Sequence, residues 1–171
     1  RSEGSVEQSG RVAVVTGAAV RLGREIALHL ARSGFDIGVH FNSSAAEAEE
    51  TAAHIRTIGR RAVLIRADFC SGAAAGLVEK IVRQEFGSLD LLINSAGIWP
   101  EPEKAAAGRS IETETAAGWD EAINIGARTP FFLIQNLAPL LSSATQNGGD
   151  GQVINILDRS ISIPFLDRAA H

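Results

Sequence analysis

The sequence predicts a doubly wound α/β domain, in which helices cover both faces of a parallel sheet. Five short apolar runs have the length of strands, and those richest in branched residues suit a sheet buried on both faces: residues 11–16, 35–41, 61–67, 89–94 and 152–157. Helical patterns lie between them, over residues 22–33, 44–58, 72–86 and about 118–143. Strands that alternate with helices of this length need crossover connections, and these favour parallel pairing.

The helical patterns also predict which apolar side chains face the sheet. Leu22 belongs to the apolar stripe of the first helix and Leu77 to that of the third. Trp119 begins the fourth helix and is expected in the core. Cys70, at the start of the third helix, is expected to pack as a small apolar group.

Length and composition predict one globular domain with a substantial core, since the chain has 171 residues, 45% of them hydrophobic, and a formal net charge of −4. Residues 1–10 are expected to be a flexible segment, and residues 11–171 a domain that is incomplete at its C-terminus. The weak charge gives no reason to expect nucleic acid or a membrane as partner, and a cytoplasmic location is expected. The single cysteine excludes intrachain disulfides and cysteine-based zinc clusters, and we expect no metal.

The first strand is followed by TGAAVRLGREIA, residues 16–27, which opens the first helix. In parallel α/β sheets the first turn from strand to helix is the usual phosphate site. Gly17 permits a tight turn, Gly23 permits close approach of the helix start, and the free N–H groups there attract an anion. A plain glycine turn without a ligand is the alternative. The position of the turn in a repeated βα pattern favours dinucleotide binding.

Several motifs in order along the chain resemble the short-chain dehydrogenase/reductase family. The family fingerprint TGxxxGxG stands here as TGAAVRLG, residues 16–23, and the family's NNAG stands as NSAG, residues 94–97. TGAAxRLGxxIA, with Arg21 at the middle glycine, is typical of the branch similar to pteridine reductases, and VHFNSSAAEA, residues 39–48, is similar to its second strand and turn. The resemblance runs from Arg11 to the end of the chain. It implies a Rossmann-like fold with five of the usual seven strands present.

The resemblance also implies which residues bind the dinucleotide. They are Gly17, Arg21, Leu22, Gly23, His40, Asn42, Ser43, Asp68, Phe69, Asn94, Ala96 and Gly97. Sites for NAD place a carboxylate after the second strand, whereas a 2′-phosphate needs cations and hydrogen-bond donors there. The stretch after His40 holds no carboxylate until Glu47, and the resemblance implies that Arg21 pairs with the 2′-phosphate. NADP(H) is therefore expected, with a surface role for Arg21 and a structural role for His40 as the alternative.

The expected catalytic residues depart from the family pattern. Asp158 stands where the family has a serine, as in pteridine-reductase-like members, although it also suits a turn. Thirteen residues later, where the family has a tyrosine, the chain has His171, which can donate a proton at neutral pH. The sequence contains no tyrosine, and the position of the family's lysine lies past the last residue. The family also has a catalytic asparagine in its fourth helix. Here Gly126 aligns with that position, and Asn124 lies half a turn earlier.

These features predict an oxidoreductase that transfers hydride from NADPH to a C=O or C=N group of a small planar substrate, with a pterin-like molecule favoured. Trp99, in a long loop after the fourth strand, is expected to stack on that substrate, with anchoring of the loop as its alternative role. Reduction of a 3-oxoacyl, sugar or steroid carbonyl is a second possibility. A third is a nucleotide-binding fragment or degenerate copy without catalysis. Relatives predict a homodimer or homotetramer for the full-length form.

Overall fold

The computed structural model describes residues 10–98, 114–146 and 150–157. Its strands are β1 (Arg11–Val15), β2 (Phe35–Phe41), β3 (Ala62–Arg66), β4 (Leu91–Asn94) and β5 (Gln152–Asn155). Its helices are α1 (Arg21–Arg32), α2 (Ala45–Thr57), α3 (Ala74–Glu85), α4 (Ala116–Ile123) and α5 (Thr129–Gln146). None of the helices in these ranges is both long and apolar enough to cross a bilayer.

The five strands form one parallel sheet in the order β3-β2-β1-β4-β5. Val15 pairs with Val39 of β2 on one side and with Ile93 of β4 on the other. The chain therefore builds outwards from β1 in one direction up to β3, and then returns to add β4 on the opposite side. The reversal opens a cleft outside the carboxyl ends of β1 and β4, where ligands of such sheets bind. The predicted doubly wound fold is confirmed.

The sheet separates two apolar cores. On one face Val15, Ile37 and Ile55 pack with residues of α1 and α2, and each is fully buried. On the other face Val14 and Leu137 pack with residues of α3 and α5, also fully buried. Adjacent residues of β1 therefore serve opposite cores, as the alternation of a strand requires. Burial of each such side chain contributes roughly 1.5–3 kcal/mol, so the strands that carry the site are firmly held.

Two residues expected on buried stripes are exposed. Leu22 is 56% exposed because it lies in the first turn of α1, beyond the sheet, where Gly23 occupies the buried position. Leu77 is 43% exposed because the inner stripe of α3 is one residue out of phase with the prediction, and Val78 is fully buried instead. The helices were correctly predicted, but these two side chains were wrongly assigned to the buried faces.

Two further burial predictions were wrong. Trp119 is 51% exposed, because α4 turns the small residue Gly118 towards the protein. Cys70 is exposed, because α3 begins at Ala74 and leaves the cysteine in the preceding loop. The first error concerns which side of a helix packs, and the second concerns where a helix begins.

Strand β5 departs from the prediction of a sheet buried on both faces. It pairs with β4 and is the outermost strand of the described sheet. Ile154 is 42% exposed, and Val153 is the one partly buried residue of the strand. Position at the edge does not by itself account for this exposure, since the other outer strand, β3, contains the fully buried Ile65.

The predicted fourth helix is interrupted by a π-helical turn, Asn124–Arg128, which separates α4 from α5. The N–H of Thr129 donates to the carbonyl of Asn124, five residues back, instead of four. Pro130 follows, and because proline has no N–H it cannot supply the usual donor for the carbonyl of Gly126. The wider turn agrees with this missing donor, and such turns often lie at functional sites.

Candidate cofactor site

The turn between β1 and α1 depends on two glycines. Gly17 has φ of +67°, and a Cβ added there would lie 3.0 Å from the Cα of Ala96. A Cβ on Gly23 would lie 2.2 Å from the carbonyl oxygen of Gly17, far inside van der Waals contact. The start of α1 therefore packs directly against the turn. The first N–H groups of a helix have no partner within it, so α1 presents donors at this edge of the sheet.

Thr16 joins this turn to the segment after β4. Its side chain is buried, and its Oγ1 accepts hydrogen bonds from the N–H groups of Ser95 and Ala96, both at 2.9 Å. Its own N–H donates to the carbonyl of Ile93 at 2.9 Å. The sequence analysis treated Thr16 only as part of the motif and missed this role, which its position at the end of β1 could have indicated. Two loops of the site are thereby fixed to each other.

Arg21 is the first residue of α1 and adopts a left-handed conformation, with φ of +52°. A residue with a side chain is destabilised by about 1–3 kcal/mol in this region, because its Cβ crowds the backbone, whereas glycine is not. The conformation explains why glycine suits this position of the fingerprint. The arginine is exposed at the mouth of the turn, beside the exposed Leu22.

His40 is buried at the end of β2, and backbone groups occupy both nitrogens of its ring. Nδ1 accepts the N–H of Gly17 at 3.1 Å, and Nε2 donates to the carbonyl of Ala67 at 3.1 Å. The ring stacks on Phe69, with centroids 4.1 Å apart. Burial lowers the pKa of His40 to about 4, against a smaller opposing effect of the bond to Ala67, so the imidazole is neutral at physiological pH.

His40 and Phe69 were predicted to bind the cofactor. Their side chains are enclosed, with 3% and 4% of the residue surfaces exposed, so neither ring faces the open edge of the site. A neutral His40 also supplies no positive charge for a phosphate. The structural role given as the alternative for His40 describes its surroundings better, since both ring nitrogens bond within the fold.

The segment after β2 is open and carries no charge. Asn42 and Ser43 are exposed, and α2 begins two residues after Ser43, at Ala45. Glu47, in the first turn of α2, is the first carboxylate to follow the strand. The neutral polar groups therefore lie where a site for NAD would place an acidic residue.

Asp68 follows β3 and closes the next loop. Its Oδ1 accepts the N–H of Cys70 at 2.9 Å, so the carboxylate caps a turn while its surface remains exposed. The pKa of the Cys70 thiol is raised by partial burial and by the negative charges of Asp68 and Glu121. Cys70 is therefore a protonated thiol rather than an activated nucleophile.

Asn94 ends β4 with a buried side chain. Its Nδ2 donates to Oδ1 of Asn155 at 2.8 Å, while its own Oδ1 is buried and has no hydrogen-bond partner among the residues that the structure describes. The amide therefore joins β4 to β5, and Asn155 is a residue that the sequence analysis did not single out. Ala96 is half-buried and Gly97 is exposed, directly beyond the turn. Together with Gly17, these residues form one wall of the cleft.

The residues predicted to act on the substrate are Trp99, Asp158 and His171, and they lie outside the described ranges. Asn124 is half-buried in the π-helical turn, where its Oδ1 accepts Nη1 of Arg128 at 3.5 Å. Gly126, at the position of the family's helix asparagine, is exposed. No group of three or more potential metal ligands occurs among the residues that the structure describes.

A protein-family model described as short chain dehydrogenase matches residues 11–161. The chain belongs to this family. It is 36% identical over 126 residues to hydroxynaphthalene reductase of Aspergillus fumigatus, covering 73% of this chain and 43% of that protein. It is 37% identical over 150 residues to 2-dehydro-3-deoxy-D-gluconate 5-dehydrogenase of Dickeya dadantii, covering 86% and 53%. The chain therefore spans about half the length of these curated relatives.

Among solved structures, the fold is similar to landomycin C-6 ketoreductase with bound NADP and rabelomycin. The TM-score is 0.79 at 25% sequence identity, over 95% of this chain and 63% of that one. The comparison confirms the five-stranded parallel sheet with flanking helices as the Rossmann-like fold of short-chain dehydrogenases. The names of the relatives do not identify the pteridine-reductase-like branch.

Replacement of Gly23 by alanine is expected to abolish dinucleotide binding, because the new Cβ would overlap the carbonyl of Gly17 and push α1 away from the turn. The free energy of unfolding should also fall, by roughly 1–3 kcal/mol. Calorimetric titration and urea denaturation measure the two effects. Gly76→Ala in α3 is the matched control, since nothing lies within 4 Å of its added Cβ. Unchanged binding by Gly23→Ala would contradict the packing described.

The buried neutral His40 predicts that stability falls in acid. In the unfolded chain the pKa of His40 is near the ordinary value of 6.5, whereas in the folded chain it is about 4. Between these pH values the unfolded state therefore binds more protons than the folded state. The contribution of His40 to the free energy of unfolding is complete above about pH 6.5 and is lost as the pH falls to about 4. The loss amounts to about 3 kcal/mol. Denaturation midpoints of the wild type and His40→Asn across this range should converge at low pH, and parallel curves would refute the assignment.

Proposed function

We propose that this chain is the cofactor-binding part of an NADPH-dependent short-chain reductase. The observation that carries the proposal is the glycine turn at the reversal point of the sheet, where Gly23 packs on Gly17 and α1 presents its first N–H groups. A side chain at Gly17 or Gly23 would collide with the backbone, and Arg21 is exposed beside them, which suits the close approach of the pyrophosphate of a dinucleotide. Asp68 and Gly97, both exposed at the same edge, would contact the remainder of that cofactor.

Preference for NADPH rests on charge. Asn42 and Ser43 provide hydrogen-bond groups after β2, and no carboxylate stands there to bond a ribose hydroxyl. Arg21 would supply the cation that a 2′-phosphate requires. The bound NADP of the similar ketoreductase supports this choice. His40 is not part of the argument, because its imidazole is neutral and enclosed.

When bound, the nicotinamide supplies the hydride, and the protein positions the substrate and handles the proton. We assign Asp158 to orienting a substrate N–H or relaying a proton, and His171 to donating one. Trp99 would stack on the substrate ring. These roles follow from the family resemblance of the sequence.

A flat substrate, with a pterin-like molecule favoured, is the proposed class. The similarity to hydroxynaphthalene reductase supports reduction of a fused-ring compound. The similarity to a gluconate dehydrogenase supports the alternative of a sugar carbonyl, beside 3-oxoacyl and steroid substrates. A second candidate function is nucleotide binding without catalysis, which the absence of tyrosine from the sequence favours.

Assembly into a homodimer or homotetramer, and a cytoplasmic location, are further parts of this proposal. Large apolar side chains are exposed along α4 and α5, at Trp119, Ile123, Phe131 and Phe132. Clustered apolar groups on a protein surface commonly form contacts between subunits. The helices therefore offer a surface for self-association.

The cofactor proposal predicts the effect of replacing Arg21 by glycine. The change removes the proposed phosphate partner and also relieves the strained φ. We expect the Kd for NADPH to rise about tenfold, the usual effect of losing one charge-assisted hydrogen bond, and the Kd for NADH to stay within about twofold. Fluorescence titration measures both constants. Arg32→Ala, at the other end of α1, is the control. Equal affinity of the wild type for NADPH and NADH would refute the preference.

The substrate proposal predicts NADPH oxidation with a dihydropterin or quinonoid pterin in preference to an acetoacetyl compound. Trp99→Leu should raise KM for the pterin by about tenfold through the loss of stacking, with less effect on the acetoacetyl compound. The absorbance of NADPH follows the reaction, and Trp119→Leu is the matched control. No turnover with any substrate, together with tight NADPH binding, would favour the non-catalytic alternative.

A further inference from the structure

The enclosed ring of His40 requires an explanation that cofactor contact does not provide. His40 accepts hydrogen bonds from two backbone N–H groups of the β1–α1 turn. Gly17 donates to Nδ1 of the ring at 3.1 Å, and Ala18 donates to the backbone carbonyl of His40 at 2.9 Å. On its far side the ring donates to Ala67 at the end of β3. His40, near the end of β2, thus connects the β1–α1 turn to the end of β3.

We propose that His40 is a positioning residue that fixes the phosphate-binding turn before a dinucleotide arrives. The proposal rests on the proposed function, since it concerns the same site. It adds a residue that acts through Gly17 rather than by touching the cofactor. It also assigns the phosphate contacts within the turn to N–H groups beyond Ala18, because those of Gly17 and Ala18 are already bonded to His40.

The chemistry of the ring permits one protonation state. A backbone N–H can only donate, so Nδ1 must carry a lone pair to accept Gly17. A carbonyl can only accept, so Nε2 must carry the proton that is given to Ala67. Protonation of Nδ1 would set two N–H groups against each other. The neutral Nε2–H tautomer is therefore the form that holds the turn.

Phe69 keeps the ring in this orientation and extends the connection. Its ring lies against that of His40 with an angle of 14° between the planes. Its carbonyl accepts Oγ1 of Thr129 at 2.8 Å in a buried contact, which reaches the first residue of α5. The turn, the ends of β2 and β3, and α5 are thereby joined through one stacked pair.

The binding test compares His40→Leu with His40→Asn. Leucine fills the space but leaves the N–H of Gly17 without an acceptor, whereas the asparagine side chain offers an oxygen in place of Nδ1. We expect Kd for NADPH and for NADH to rise together by about tenfold in the leucine variant, with partial recovery in the asparagine variant. His54→Leu, an exposed histidine on α2, is the matched control. Unchanged Kd values in His40→Leu would overturn the proposal.

A second measurement needs no cofactor and no variant. Nitrogen-15 NMR of the free wild-type chain should show the Nε2–H tautomer at His40, and the amide of Gly17 should be protected from hydrogen exchange. An Nδ1–H tautomer, or a freely exchanging Gly17 amide, would overturn the proposal. If the wild type binds neither dinucleotide while both NMR signatures are present, the proposed function fails and the positioning of the turn by His40 stands.

Discussion

The contact between Gly23 and the carbonyl of Gly17 is the constraint on which the site depends. No atom larger than hydrogen fits between them, so the first turn of α1 lies directly on the end of β1. This approach aims the N–H groups of the helix at the cleft, where the sheet reverses direction between β1 and β4. The strain at Arg21 is tolerated in the same turn.

Buried polar side chains hold this turn from both sides. Thr16 fastens it to the segment after β4, and His40 fastens it to the end of β2. Each bonds to backbone N–H groups of half-buried residues, and satisfied polar networks of this kind make a structure more rigid. A site prepared in this way spends less of the binding free energy on ordering its own loops.

The sequence alone predicted most of the fold, because strands, helices and the glycine turn leave local signals. The burial of single side chains was harder to predict. Leu22 and Leu77 fit apolar stripes yet are exposed, Leu22 because the first turn of α1 extends beyond the sheet and Leu77 because Val78 takes the buried position. A structural role for His40 was predicted only as the alternative, and its partners could not be predicted. Its partners Gly17 and Ala67 lie 23 and 27 residues away, and only the parallel register brings them together. The π-helical turn precedes Pro130, whose missing N–H agrees with it, but a proline alone does not indicate such a turn.

Membership of the short-chain dehydrogenase family and the geometry of the turn converge on one claim, that this edge of the sheet receives a nicotinamide dinucleotide. The most direct measurement is an NMR titration of the nitrogen-15-labelled chain with NADPH. The account predicts saturable shifts in the backbone amides of residues 19–23, 42–44 and 94–97, at the carboxyl edge of the sheet. Shifts confined to other surfaces, or none at millimolar NADPH, would contradict it.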